Sequence, residues 1–264
     1  MEETSSLEQM IISAAKLIKD RDILMVGTQW PIIVSLFAKR FYCPNITICY
    51  EGGVVLQKIP DRIPLFTGDP VINSSSIMLG SCLDTLGSIL HGGRADMALL
   101  SAASVDRFGN INTTCVGRYN SPAARFGGSG GACDFGSLAK RTVIILEHDK
   151  KRFPERVDFI TTPGYLSGSD SRGEVGLKNH TGPYAVVTTL GIFKFDNNGE
   201  MILSQFQPGS SVDEIRDSVQ WELKVAEDVR QADPATEDEL RVLRDEIDPK
   251  GMYLREARLL QGIR

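Results

Sequence analysis

The strongest constraint on this chain is an alternation near its start. Residues 7–19, LEQMIISAAKLIK, carry apolar side chains at helical spacing. Ile23-Leu24-Met25-Val26-Gly27 follows, a short apolar run of the kind that forms a buried strand. Pro31 then stands at the head of a second helical stretch, IIVSLFAKRF, where a helix tolerates proline because its first N–H groups have no intrahelical acceptor. Ile46 to Tyr50 is the next strand. Helix, strand, helix, strand is the signature of a parallel sheet covered by helices.

The pattern continues along the chain. Cys82 to Leu90 fits a short helix, and Met97 to Ser101, Thr142 to Glu147 and Val157 to Thr161 read as strands. The polar, glycine-rich stretch GYLSGSDSRGEVGLKNHTGP reads as a long surface loop, and Gly176 to Gly182 within it is a candidate for a loop near a site. Tyr184 to Thr189 and Ile192 to Phe195 are strands with a break at Gly191, and Asp196-Asn197-Asn198-Gly199 turns the chain back into Met201 to Phe206. The tail reads as helical, with capping-box spacing at Ser211/Glu214 and Thr236/Glu239. With no repeat, low-complexity tract or linker, residues 1–264 are expected to form one α/β domain. Its core is an open, mostly parallel twisted sheet with flanking helices, followed by a helical C-terminal extension.

Composition narrows the function. A net charge of -5 argues against a nucleic-acid binder. No apolar run approaches the ~20 residues that cross a bilayer, and the opening MEETSSLEQM is unlike a secretory leader. The five cysteines, Cys43, Cys49, Cys82, Cys115 and Cys133, are scattered without a CxxC pair, which fits a reducing cytoplasm. His91, His148 and His180 lie too far apart to suggest a metal site, and His91 and His148 read as structural.

Three stretches could carry chemistry. In Thr47-Ile48-Cys49-Tyr50-Glu51-Gly52-Gly53-Val54-Val55 a buried strand stops at a carboxylate, and two glycines follow. Ligands of open α/β sheets bind beyond the carboxyl ends of the strands. Glu51 can therefore be an acid, a base or a nucleophile, with Gly52 and Gly53 permitting close approach; the competing reading is a surface Glu in a turn. In Arg125 to Gly136, four glycines among residues 127–131 expose backbone N–H groups that could hold a phosphate or an oxyanion, or merely make a turn. The loop is neither a P-loop nor a dinucleotide fingerprint. Ser101 to Asn112, with Asp106-Arg107-Phe108-Gly109-Asn110, reads as architecture that aligns strand ends. Cys49 shares a strand face with Glu51 but reads as a small hydrophobe. Lys150-Lys151-Arg152 reads as a solvated surface run.

Taken in this order, the stretches resemble the class I, glutaconate-type coenzyme A-transferases, specifically their B (beta) chain. The resemblance runs over nearly the whole sequence. It includes Leu24 to Thr28, Ala38-Lys39-Arg40, the strand ending at Glu51, Val105 to Asn112 and Arg125 to Ala132. It continues through Ile160 to Gly164, Gly191 to Asp196 and Glu246-Ile247-Asp248-Pro249. The resemblance implies that Glu51 is the nucleophile of a covalent glutamyl-CoA thioester mechanism. It also implies that Gly128, Ser129, Gly130 and Gly131 border the site and offer N–H groups to an oxyanion. It further implies a coenzyme A thioester as substrate with no permanently bound cofactor, a dicarboxylic or polar acyl group, and an A-type (alpha) CoA-transferase partner in a heteromer of two or four of each subunit.

Here Glu51 is followed by Gly-Gly, where the better-known form of the family has Ser-Gly or Asn-Gly; this could enlarge the acyl pocket. Related members hydrolyse or decarboxylate acyl-CoA thioesters, among them a hydrolase that opens a cyclic acyl-CoA. An alternative of another class is a non-catalytic sugar-phosphate or effector-binding domain. Arg107 and Arg125 could read a carboxylate or could fix loops.

Overall fold

The computed structural model describes residues 4–178 and 181–254. The sheet begins with β1 (Ile23–Val26), β2 (Thr47–Tyr50), β3 (Val54–Leu56), β4 (Ser76–Leu79) and β5 (Met97–Ser101). Two ribbons follow, β6 (Ser104–Val105) with β7 (Ile111–Asn112) and β8 (Cys115–Arg118) with β9 (Ser121–Arg125). The sheet resumes with β10 (Arg141–Leu146), β11 (Pro183–Thr188), β12 (Gly191–Phe195), β13 (Met201–Phe206) and β14 (Lys224–Gln231). Ten strands form one open sheet in the order β14-β13-β12-β11-β10-β5-β1-β2-β3-β4. The five strands from β11 to β2 run parallel to their neighbours.

Side-chain alternation sorts these strands into two cores. Leu24, Val26, Ile48, Tyr50, Leu99, Val143 and Ile145 face α1 (Ser6–Ala15) and α2 (Trp30–Phe41). Met25, Cys49, Ala98, Leu100, Ile144 and Val186 face the opposite layer, which contains Phe135 of α3 (Ala132–Leu138) together with Phe153, Phe193 and Trp221. Both faces are buried, so the strands read as continuous apolar runs. Cys49 is one of these core residues, and desolvation pushes its thiol up to about 12, in keeping with its reading as a small hydrophobe.

The structure departs from the sequence expectations in several places. Val157 to Thr161 is not a strand; Thr161 and Thr162 only bridge to Ile111. At its start Val157 N donates to buried Asp106, whose carboxylate also accepts from Phe108 N, Asn110 N and Asn110 Nδ2. Asn110 Oδ1 in turn accepts from Gly164 N at 2.9 Å and Leu166 N at 3.0 Å. The expected surface loop after Gly164 is tied down by a buried cation. Arg172, in the short helix α4 (Ser171–Glu174), donates to the carbonyls of Gly164 and Gly136 and to Thr181 Oγ1. Two residues of that stretch, including His180, lie outside the described residues.

The tail is helical at the two caps, where Ser211 and Thr236 accept from Glu214 N and Glu239 N at the heads of α5 (Val212–Asp217) and α6 (Glu237–Arg241). Between them lies the edge strand β14, whose charged sequence KVAEDVRQ hides it from a hydrophobicity reading. A π-helical turn, Val242–Ile247, packs Val242, Leu243 and Ile247 into the α1/α2 core, and Arg244 meets buried Glu8 of α1 at 2.7 Å.

The hairpin from β2 to β3 is the local feature that places Glu51. Tyr50 pairs with Val54, so Glu51, Gly52 and Gly53 form a three-residue turn, closed by Gly53 N donating to Tyr50 O. Gly53 has φ +100, and a Cβ on it would lie 2.3 Å from the carbonyl oxygen of Gly80. Its close approach is thus made by the backbone after β4. Gly52 is exposed with nothing within 4 Å of a built Cβ. Gly53→Ala is therefore expected to cost about 1–3 kcal/mol or more in urea unfolding, and Gly52→Ala less than about 0.5 kcal/mol. Equal effects would contradict this account of the turn.

Candidate active site

Four adjacent parallel strands, β2, β1, β5 and β10, end on the same edge of the sheet. The residues just beyond those ends line one cleft of about 730 Å³. It takes Gly27 to Gln29 after β1, Glu51 after β2, Ser101 to Ala103 at the end of β5, and Arg152 beyond β10. Thr113, Phe126 to Ser129, Ala132 and Phe135 close it from the side of the glycine-rich loop. A second cleft of about 520 Å³ also reaches Glu51, between Phe66 to Gly68, Cys82, Leu86 and Gly130-Gly131. Glu51 is half-buried where the two clefts meet.

The structure brings Glu51 and the glycine-rich loop into direct contact. Gly131 N donates to Glu51 Oε2 at 2.6 Å, and Thr85 Oγ1 donates to the Glu51 carbonyl at 3.0 Å. A Cβ on Gly131 would lie 2.4 Å from Oε2, and one on Gly130 3.4 Å from Oε1. The glycines of this loop therefore have a steric reason: they let the carboxylate lie against backbone. Gly128 N donates to Thr113 O, and Thr113 Oγ1 returns a bond to Gly128 O at 2.8 Å, which pins the loop to the ribbon region. Ala132 N and Cys133 N are taken by Ser129. Among the described residues the N–H groups of Ser129 and Gly130 have no protein acceptor.

Several sequence candidates lie elsewhere. Arg107 is paired with Glu155 and Glu200 and fixes a loop. Arg125 lies over the Tyr119 ring and donates to the Tyr119 carbonyl. Among the described residues, the segment after Gly164 contributes none to either cleft. His148 stacks on Phe153 at 4.3 Å, with its ring nitrogens beside Thr188 Oγ1 and Ser218 Oγ; desolvation lowers its pKa to about 4, so the imidazole is a neutral packing group. In the larger cleft three residues carried no sequence signal of their own: Thr67, Thr113 and Gln29. Gln29 precedes α2 with φ 64 and ψ -128, a backbone conformation that strains a residue with a Cβ.

The coenzyme A transferase family model matches residues 7–218. The B (beta) chain of glutaconate CoA-transferase from Acidaminococcus fermentans is 32% identical over 254 residues, covering 94% of each chain. The corresponding chain of 3-oxoadipate CoA-transferase from Pseudomonas knackmussii is 34% identical, covering 91% of this chain and 92% of its own. The crystal structure of the A. fermentans glutaconate CoA-transferase superposes with a TM-score of 0.89 at 30% identity, covering 96% of this chain and 98% of that one. The chain belongs to the coenzyme A transferase family.

The packing of Gly131 on the carboxylate gives a direct test. Gly131 has ordinary backbone angles, φ -79 and ψ -1, so alanine fits the chain but not the space. In Gly131→Ala a crystal structure should show Oε2 displaced on the order of 1 Å, with the melting temperature within a few degrees of the parent. Chemistry that depends on that carboxylate should slow about 100-fold. An unmoved carboxylate would overturn this reading of the contact.

Proposed function

We propose that the chain is the B (beta) component of a heteromeric acyl-CoA:carboxylate CoA-transferase, with Glu51 as its nucleophile. The observation that carries the proposal is the Glu51 carboxylate, held by Gly131 N–H at the meeting point of two clefts beyond the strand ends. A carboxylate in that position can attack the carbonyl carbon of an acyl-CoA thioester. The tetrahedral intermediate collapses with loss of CoA thiolate and leaves a mixed anhydride between the acyl group and Glu51. The thiolate then attacks the Glu51 carbonyl carbon, the original acid departs, and a glutamyl-CoA thioester remains. An acceptor carboxylate repeats the two steps in reverse, which regenerates Glu51 and releases the new acyl-CoA.

Gly131 N–H is already engaged with Glu51, so the oxyanion donors in this proposal are the N–H groups of Ser129 and Gly130. Gly52 leaves open space beside the nucleophile. The substrate is a coenzyme A thioester with a dicarboxylic or polar acyl group, a class supported by the glutaconate and 3-oxoadipate activities that name the relatives. No permanently bound cofactor enters this scheme.

The partner is the A-type (alpha) chain of a CoA-transferase, in a complex of two or four of each. The relatives, each named as one component of a multi-chain enzyme, support it. So does the surface beside the Glu51 hairpin, where the edge strand β4 exposes Ile77 by 60% and Leu79 by 63%. A cytoplasmic setting is part of the proposal; five free cysteines, two of them exposed, suit reducing conditions. Among the described residues no helix is long and apolar enough to cross a membrane.

The test is acceptor dependence. Co-purified with its partner, the protein should consume acyl-CoA only when a carboxylic acid is supplied, and Glu51→Gln should lower the rate at least about 1,000-fold with little change in stability. Consumption without an acceptor would instead favour a thioester hydrolase or lyase. Full activity of this chain alone would overturn the heteromer assignment.

A further inference from the structure

Among the described residues that line the larger cleft, only two are charged: Glu51 and Arg152. Arg152 is the last residue of the Lys150-Lys151-Arg152 run, which the sequence suggests is a solvated surface. Its two lysines are exposed, but Arg152 is half-buried and turned into the cleft. Among the described residues its guanidinium has no carboxylate or carbonyl partner.

The backbone that carries Arg152 is anchored on every side. Residues 150–152 form one 3₁₀ turn capped by Asp149, which accepts from Lys151 N at 2.8 Å. Gln220 grips the turn twice, through Nε2 to Lys150 O at 2.9 Å and through its own N–H to Phe153 O at 3.0 Å. The next residue, Phe153, is fully buried and stacked on His148. A fixed backbone under an unpaired guanidinium is the arrangement of a binding group awaiting an anion.

Arg152 and Glu51 line the same cleft from different strands of the sheet. Arg152 lies beyond β10 and Glu51 beyond β2, three strands away. Three spacings of about 4.8 Å separate the two strand axes by roughly 14 Å. Leu100, Ala102, Ala103 and Phe126 supply apolar wall to the same cleft.

We propose that Arg152 binds the distal carboxylate of a dicarboxylic acyl group whose thioester end lies at Glu51, so that the larger cleft selects dicarboxylic over monocarboxylic acyl chains. The inference rests on the CoA-transferase reading above and adds to it the residue that reads the acyl group. A guanidinium and a carboxylate form two parallel N–H···O bonds, and a monocarboxylic chain of the same length would leave the cation unpaired.

The experiment uses the protein co-purified with its partner, and compares the parent with Arg152→Gln and Arg152→Lys. With a five-carbon dicarboxylic acyl-CoA, Arg152→Gln should lose roughly 10- to 100-fold in kcat/KM, mainly through KM. With the five-carbon monocarboxylic acyl-CoA the change should stay within about 3-fold. Arg152→Lys should restore part of the loss. Equal losses with both substrates would overturn the proposal and assign Arg152 to the coenzyme A phosphates, and no loss with either would also overturn it.

A binding measurement separates this from failure of the transferase reading. Glutarate should raise the melting temperature of the parent more than valerate does, and Arg152→Gln should abolish the difference whether or not Glu51 reacts. The same glutarate stabilisation in parent and variant would sink the assignment.

Discussion

A parallel sheet with both faces covered leaves little backbone free except at the strand ends, and that constraint organises this protein. The central strands alternate Leu24, Ile48 and Leu99 toward α1 and α2 with Met25, Cys49 and Ala98 toward α3. No face of the central sheet remains for a ligand, so chemistry is confined to the carboxyl edge. Glu51, Gln29, Ser101 and Arg152 reach the same cleft because β2, β1, β5 and β10 are neighbours, although the residues are far apart in the chain.

Within that frame, Glu51 is placed by two glycines with different tasks. Gly53 allows the hairpin to close against the Gly80 backbone, which fixes where Glu51 leaves the sheet. Gly131 removes the side chain that would collide with the carboxylate and offers its N–H instead. The resulting contact leaves the neighbouring N–H groups of Ser129 and Gly130 for an incoming oxyanion in the proposed reaction. The hairpin, the glycine-rich loop and Thr113, which anchors that loop, thus form one mechanical unit around the carboxylate.

How much of this was legible in the sequence depended on the kind of signal. Continuous apolar runs marked the buried central strands, and serine and threonine caps marked α5 and α6, because burial and capping leave local patterns. The outer strands β3 and β14 left weak ones: β3 is only three residues long, and β14 is an edge strand rich in charge. Glu51 and the loop at Gly128 to Gly131 stood out as a carboxylate and bare backbone at turns. Their contact did not, since it joins residues 80 positions apart. Arg152 was hidden for the opposite reason. Its two lysine neighbours make the run look solvated, and only the turn gripped by Gln220 and Phe153 sets it apart from them.

The central claim is that Glu51 becomes covalently bonded to coenzyme A, and the most direct measurement is chemical trapping. The protein with its partner would be incubated with acyl-CoA and no acceptor, reduced with borohydride, digested and sequenced by mass spectrometry. The account predicts reduction of the Glu51 side chain to an alcohol, dependent on acyl-CoA and absent in Glu51→Gln. An unmodified Glu51 while acyl-CoA is nevertheless consumed would contradict it, and would make this carboxylate a base or a binding group in a different reaction.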